Sequence, residues 1–120
     1  MLKPKYPDSL PIPGQTPVTV HRDDDLWVVS KPAGWLTHPD GQSQRPSVTE
    51  WCTIPVGVHQ RLDVDTTGLL ILSVSSTGAK KLQETLERRT LKKRYLAIVD
   101  AWDLPNNGSM DSPMPGPGHK

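Results

Sequence analysis

Apolar positions along the chain fall into short runs separated by polar turns, and their spacing predicts the elements. Residues 18–20 and 26–30 are rich in Val with one Trp and flank an acidic turn at 21–25, the composition of two short strands. Lys31-Pro-Ala-Gly34 stops the second, because Pro32 lacks an N–H donor and Gly34 tolerates unusual backbone angles. Residues 35–45 lack periodicity and are predicted as loop. Ser47-Val-Thr-Glu50 has the spacing of a capping box and predicts a short helix through Cys52. The uninterrupted run Leu69-Leu-Ile-Leu-Ser-Val74 predicts a central strand covered on both faces. Ser75, Ser76 and Thr77 are N-cap candidates for a helix over residues 79–89, whose Ala79, Leu82 and Leu86 share one face. Tyr95-Leu-Ala-Ile-Val99 predicts a further strand. The order, strands interleaved with two helices and no internal repeat, predicts an α+β fold with a mixed, mainly antiparallel sheet and flanking helices.

Length and composition narrow this to one small domain. The chain has 120 residues, of which 34% are hydrophobic, so the core is thin. Its 13 prolines cluster toward the ends, which divides the chain into a Pro-rich tail at 1–17, a folded domain at 18–104 and a Pro/Gly-rich tail at 105–120. Cys52 is the single cysteine, which excludes an internal disulfide and a cysteine-based zinc site and points to a reducing, cytoplasmic setting. No apolar run is long enough for a membrane helix, and no signal core follows the basic residues near the N-terminus. The net charge of +1 conceals an asymmetry: residues 79–95 hold seven basic and two acidic side chains, a local charge of +5. Such a segment suits phosphate as a partner, and equally suits a solvated helix face.

Candidate chemistry concentrates in V-H-Q-R-L-D-V-D-T-T-G-L-L-I-L, residues 58–72. Arg61 and Asp63 are two apart, so in extended backbone both side chains leave the same face. A guanidinium beside a carboxylate favours its ionised form, and Thr66, Thr67 and Gly68 supply turn-forming and donor groups. A pre-oriented carboxylate of this kind serves as a nucleophile or stabilises a developing cation at a sugar carbon. Taken alone, an aspartate in D-x-D-T-T-G is more often a capping or turn residue.

A resemblance alters that balance. Arg61-Leu-Asp-Val-Asp-Thr-Thr-Gly-Leu-Leu70 resembles the H-R-L-D-x-x-T-S-G-L catalytic motif of the RluA-type RNA pseudouridine synthases. Residues 24–34 with His38-Pro39 resemble the family's upstream strand and K-P-x-G loop, and residues 79–99 its helix and tyrosine-bearing strand. The resemblance implies isomerisation of uridine to pseudouridine in structured RNA, rRNA or tRNA, without metal or organic cofactor. It implies Asp63 as the catalytic carboxylate, Arg61 filling the space left by the target base, Tyr95 stacking on the uracil, and Thr67 with them in substrate binding. Lys80, Lys81, Arg88, Arg89, Lys92 and Lys93 are then candidates for the RNA backbone.

The chain departs from the family's pattern in two places. Gln60 stands between His59 and Arg61, where the family has histidine next to arginine, so one residue must reverse the upstream facing or be absorbed as a bulge. The family also continues with a G-R-x-H-Q-x-R-x-H motif, and residues 102–120 hold nothing that resembles it. The expectation is therefore the N-terminal half of a catalytic domain with impaired activity. The alternatives are an inactive fragment that binds RNA through its basic helix, and a degraded product without function. His38, His59, Asp63 and Asp65 have no recognised metal-ligand spacing, and Lys31 is expected to be a loop residue with no chemistry of its own. The substrate RNA and the oligomeric state are not legible.

Overall fold

The structure, a computed structural model, describes residues 9–100 and 105–109. The chain divides into two units, Tyr6–Leu91 and a second that includes everything from Lys92 onward. Among the described residues, all regular structure lies in the first. There a four-stranded sheet forms from β1 (Val18–Arg22), β2 (Leu26–Lys31), β3 (Gly57–Val58) and β4 (Gly68–Ser73), in the order β1-β2-β4-β3. Two helices accompany it, α1 (Val48–Trp51) and α2 (Ser76–Glu87). The predicted α+β class is thus borne out. Every strand pair in the sheet is antiparallel, and parallel pairing among the described residues is confined to an isolated bridge between Leu36 and Ser47.

Strand parity explains the core. Side chains alternate across a strand, and in β2 Trp27, Val29 and Lys31 are buried while Leu26, Val28 and Ser30 are half-buried. In β4 the buried partners are Leu72 opposite Trp27 and Leu70 opposite Val29. With Val48 and Cys52 these close one apolar cluster, edged by Trp51, Val56, Val58, Leu62 and Val74. The opposite face is thinner than the apolar run suggested. Leu69 is 59% exposed, so β4 is interior in the sheet yet not covered throughout on both sides. It also ends at Ser73, because the Val74 N–H turns to the Asp25 carbonyl (2.9 Å).

Capping groups set the helix bounds. Ser47 accepts the Glu50 N–H (3.3 Å) and donates its hydroxyl to Glu50 Oε1 (2.8 Å), so the predicted box starts α1. α2 begins three residues before the expected Ala79. Ser75 Oγ accepts the Gly78 N–H (2.9 Å) and donates to Asp25 Oδ1 (2.7 Å), which closes a first turn that carries no apolar signal. Its C-terminal side ends at Glu87, two residues short of prediction, because Arg89 adopts a left-handed conformation (φ 53°).

The expected strand at 95–99 is not present. Those residues lie in the second unit, without regular structure, and Leu96 and Ile98 are fully exposed. An apolar run becomes a strand only where a neighbour's backbone takes up its hydrogen bonds, and none does so here among the described residues. Of the predicted tails, residues 1–8 and 110–120 fall outside the described residues.

Candidate active site

The loop between β3 and β4 presents its residues alternately. Arg61, Asp63, Asp65 and Thr67 are exposed, whereas Leu62, Val64 and Thr66 are half-buried. The extended parity expected for Arg61 and Asp63 therefore holds, and both side chains stand on the open side. The expected pairing does not follow: among the described residues no ion pair joins Arg61 to Asp63. At an exposed site water screens both charges, and nothing else holds the two side chains together.

What fixes the loop is its inward-facing half. Lys31, the last residue of β2, is buried to 1% exposure by the same parity that buries Trp27 and Val29. Its Nζ donates to the carbonyls of Trp35 (2.7 Å), Pro32 (3.1 Å) and Val64 (3.1 Å). Three carbonyl acceptors require the three donors of an ammonium. Burial pushes this group below its usual pKa, and the Asp65 and then the Asp63 carboxylates draw it back up. Val64 O accepts a second bond from the Gly34 N–H (2.8 Å). The K-P-A-G segment is thereby tied to the residue that follows Asp63. Before Asp63, Thr37 Oγ1 accepts the Leu62 N–H (3.1 Å) and donates to the Leu62 carbonyl (3.2 Å). A turn closes beyond it, with the Thr66 N–H on the Asp63 carbonyl at 3.0 Å. Asp63 is thus an exposed carboxylate on a loop pinned at both neighbouring residues.

Asp65 is held from outside. Its Oδ1 accepts the Ser9 N–H (2.7 Å) and the Ser9 hydroxyl, and the Ser9 carbonyl accepts from Arg45. The Ser9 hydroxyl and N–H, with Arg45 and Lys31 nearby, keep its carboxyl below the usual carboxylate range. Leu10 and Pro11 cross over Gly34, whose φ is +86° and where a Cβ would lie 2.5 Å from Pro11 N. Only a glycine fits that crossing without displacing backbone.

The extra residue Gln60 neither reverses a strand nor forms a bulge, because pairing of β3 ends at Val58 and the loop absorbs it. His59 instead braces the end of β3: Nε2 meets Ser73 Oγ (2.9 Å) and Nδ1 meets Gln83 Oε1 (3.3 Å). Lys80, Lys81 and Arg88 are exposed on and just after α2, with Arg89 next to them. Tyr95, Lys92 and Lys93 belong to the second unit, where all are exposed. Among the described residues no three His, Cys, Asp or Glu side chains gather where a metal ion would bind, and no helix is long and apolar enough to cross a membrane.

Sequence reasoning missed Lys31 and Thr37. Lys31 had a usable signal, its i, i+4 relation to Trp27 along β2; Thr37, in a loop, had none.

Comparison with known proteins follows the same segment. The RNA pseudouridylate synthase family matches residues 25–116. An uncharacterized RNA pseudouridine synthase of Mycoplasma genitalium is 35% identical over 97 residues, 77% of this chain and 32% of that protein. The tRNA pseudouridine synthase C of Salmonella typhimurium is 34% identical over 101 residues, 79% of this chain and 38% of its own. The ribosomal large subunit pseudouridine synthase D of Nitrosomonas europaea is 33% identical over 101 residues, covering 77% and 29%. The chain thus spans about a third of the length of the curated relatives it matches. No solved structure matches it significantly.

Proposed function

Because the chain belongs to the RNA pseudouridylate synthase family, we propose that its 61–67 loop carries the catalytic carboxylate, Asp63, of uridine-to-pseudouridine isomerisation in structured RNA. The reaction breaks the bond from uracil N1 to the ribose C1′, turns the base, and joins C5 to the same carbon while the C5 proton is lost and N1 gains one. Cleavage builds positive charge on the ribose, and a fixed anion beside it lowers that barrier. The observation that carries the reading is the pinned loop: Leu62 and Val64 are bonded to Thr37, Lys31 and Gly34, while Asp63 between them stays exposed. A rigid backbone costs no reorganisation when the substrate arrives.

In this reading Arg61 occupies the space left by a uridine drawn out of its stack, Thr67 contacts the substrate from the same open side, and Tyr95 stacks on the target uracil. Lys80, Lys81, Arg88 and Arg89, with Lys92 and Lys93, meet the RNA phosphates, an interaction that weakens as salt rises. tRNA and rRNA are the substrates in the names of the relatives, and either class is accessible to a site of this kind. A cytoplasmic location fits both RNA classes and the single, unbridged Cys52.

The same geometry supports weak activity in the chain by itself. Arg61, Asp63 and Thr67 are exposed, and nothing else in their unit covers them among the described residues. Water then screens the carboxylate, where electrostatic stabilisation is least effective. Incubating the 120-residue chain with bulk cellular RNA and mapping pseudouridine chemically is expected to yield little or none, with RNA binding retained. Robust turnover that persists in Asp63→Asn would remove Asp63 from the role given to it.

A further inference from the structure

One side chain bonds both polar backbone groups of the residue before Asp63. The Thr37 hydroxyl accepts the Leu62 N–H at 3.1 Å and donates to the Leu62 carbonyl at 3.2 Å, across 25 residues of sequence. It does for Leu62 what a neighbouring strand would do, in a stretch where β3 has already stopped pairing. Thr37 is itself fixed. It is 4% exposed, its carbonyl accepts the Thr49 N–H of α1 (3.1 Å), and the adjoining Leu36 bridges Ser47. The Leu62 carbonyl and the Asp63 N–H belong to one planar peptide unit. A bond to that carbonyl therefore sets the plane from which the Asp63 side chain departs. The Leu62 side chain packs at the edge of the core cluster, so the residue is held at its backbone and its side chain together.

We propose that Thr37 is a positioning residue for Asp63, acting through the peptide groups of Leu62; the assignment rests on Asp63 being the catalytic carboxylate. Lys31 and Gly34 hold the other side of Asp63 at Val64. Loss of the hydroxyl leaves Leu62 held by its side chain alone, so the Leu62–Asp63 peptide turns and the carboxylate swings while β2, β4 and the core remain. A probe of that swing is the buried Lys31 ammonium, whose pKa is lowered by burial and raised first by Asp65 and then by Asp63.

The test compares the full chain with Thr37→Val, which keeps the side-chain volume, and Thr37→Ser, which keeps the hydroxyl. Two quantities are measured by NMR: hydrogen exchange of the Leu62 amide, and the displacement of the Lys31 ammonium titration caused by Asp63→Asn. In the unmodified chain the Leu62 amide should exchange at least ~10-fold more slowly than those of Arg61 and Asp63. Thr37→Val should abolish that protection and diminish the Lys31 displacement; Thr37→Ser should keep both. A Leu62 amide as fast as its neighbours in the unmodified chain overturns the proposal, even if Thr37→Val does not fold. So does a Lys31 displacement that is undiminished in Thr37→Val, or lost in Thr37→Ser. Neither measurement uses turnover. Failure of the clamp therefore overturns Thr37 alone, whereas pseudouridine formation surviving Asp63→Asn overturns the reading beneath it.

Discussion

Replacing Lys31 with methionine removes the three hydrogen bonds that join the end of β2 to the loop that follows it and to the β3–β4 loop. The methionine stem fills much the same space, so the change isolates the ammonium. Val64 O keeps the Gly34 N–H as partner, but Pro32 O and Trp35 O lose the donor that Lys31 supplies. A buried acceptor deprived of its partner costs about 1–3 kcal/mol, and a bond to a charged group contributes about 1.5–3 kcal/mol net. Against this, a buried ammonium carries a desolvation cost of several kcal/mol that methionine does not have. The two effects oppose each other, and the carbonyls prevail because their loop geometry leaves them facing the vacated position. A net loss of about 2–4 kcal/mol is expected. For a folded unit of roughly 80 residues with ~4–12 kcal/mol of total stability, that is a large fraction. It corresponds to a fall in Tm of about 10–30 °C. Thermal melts by circular dichroism measure it, and hydrogen exchange at the Gly34 and Thr66 amides locates it, since both bond within the affected loops. A Lys31→Met chain that melts within about 2 °C of the original, with those amides equally protected, would show that the ammonium does not hold the loop. The hold on Val64 would then fall to the Gly34 N–H alone.

Two further outcomes follow from the geometry. Gly78→Ala, a change that normally stabilises a helix by up to about 1 kcal/mol, should instead destabilise by about 1–3 kcal/mol; the new Cβ would press directly on the Asp25 carbonyl, within 2.8 Å of its carbon, and a urea midpoint at or above the original would refute this. Acid should also destabilise the fold in a defined window: hydrogen bonds from His21 and from the Asp25 and Leu26 N–H groups hold Asp23 at about 2, below its usual 3.8. A depressed folded pKa means the stabilisation is full above pH ~4 and lost as pH falls toward 2, so urea titrations should show that decline, and Asp23→Asn should flatten it.

How much could be anticipated from the residues depended on whether a pattern was local. β2 and β4 follow from alternation and apolar density, and α1 from the Ser47–Glu50 box, because each signal lies within its own element. The start of α2 was misplaced because Ser75 takes part of its anchoring from Asp25, 50 residues away. The strand at 95–99 failed for the opposite reason, since strand formation depends on a partner edge that the run's own composition does not supply. Within the site, the facing of Arg61 and Asp63 was legible from parity, but their pairing was not, because exposure decides whether neighbouring charges hold each other. Lys31 reads as loop because Pro32 follows it, although parity places it on the buried face of β2. Thr37 was beyond reach, for its role exists only once residues 37 and 62 lie side by side.

The central claim, that Asp63 is the catalytic carboxylate of an RNA pseudouridine synthase site, is tested most directly in a full-length context. Residues 25–116 of this chain would replace the matching segment of the Salmonella typhimurium tRNA pseudouridine synthase C, with and without Asp63→Asn, and pseudouridine formed in tRNA would be measured under single-turnover conditions. The account predicts that the chimera forms pseudouridine and that Asp63→Asn lowers the rate by at least about a thousandfold. Stability should stay within about 0.5 kcal/mol, because the side chain is exposed. An Asp63→Asn chimera that forms pseudouridine at the unmodified rate would contradict the account.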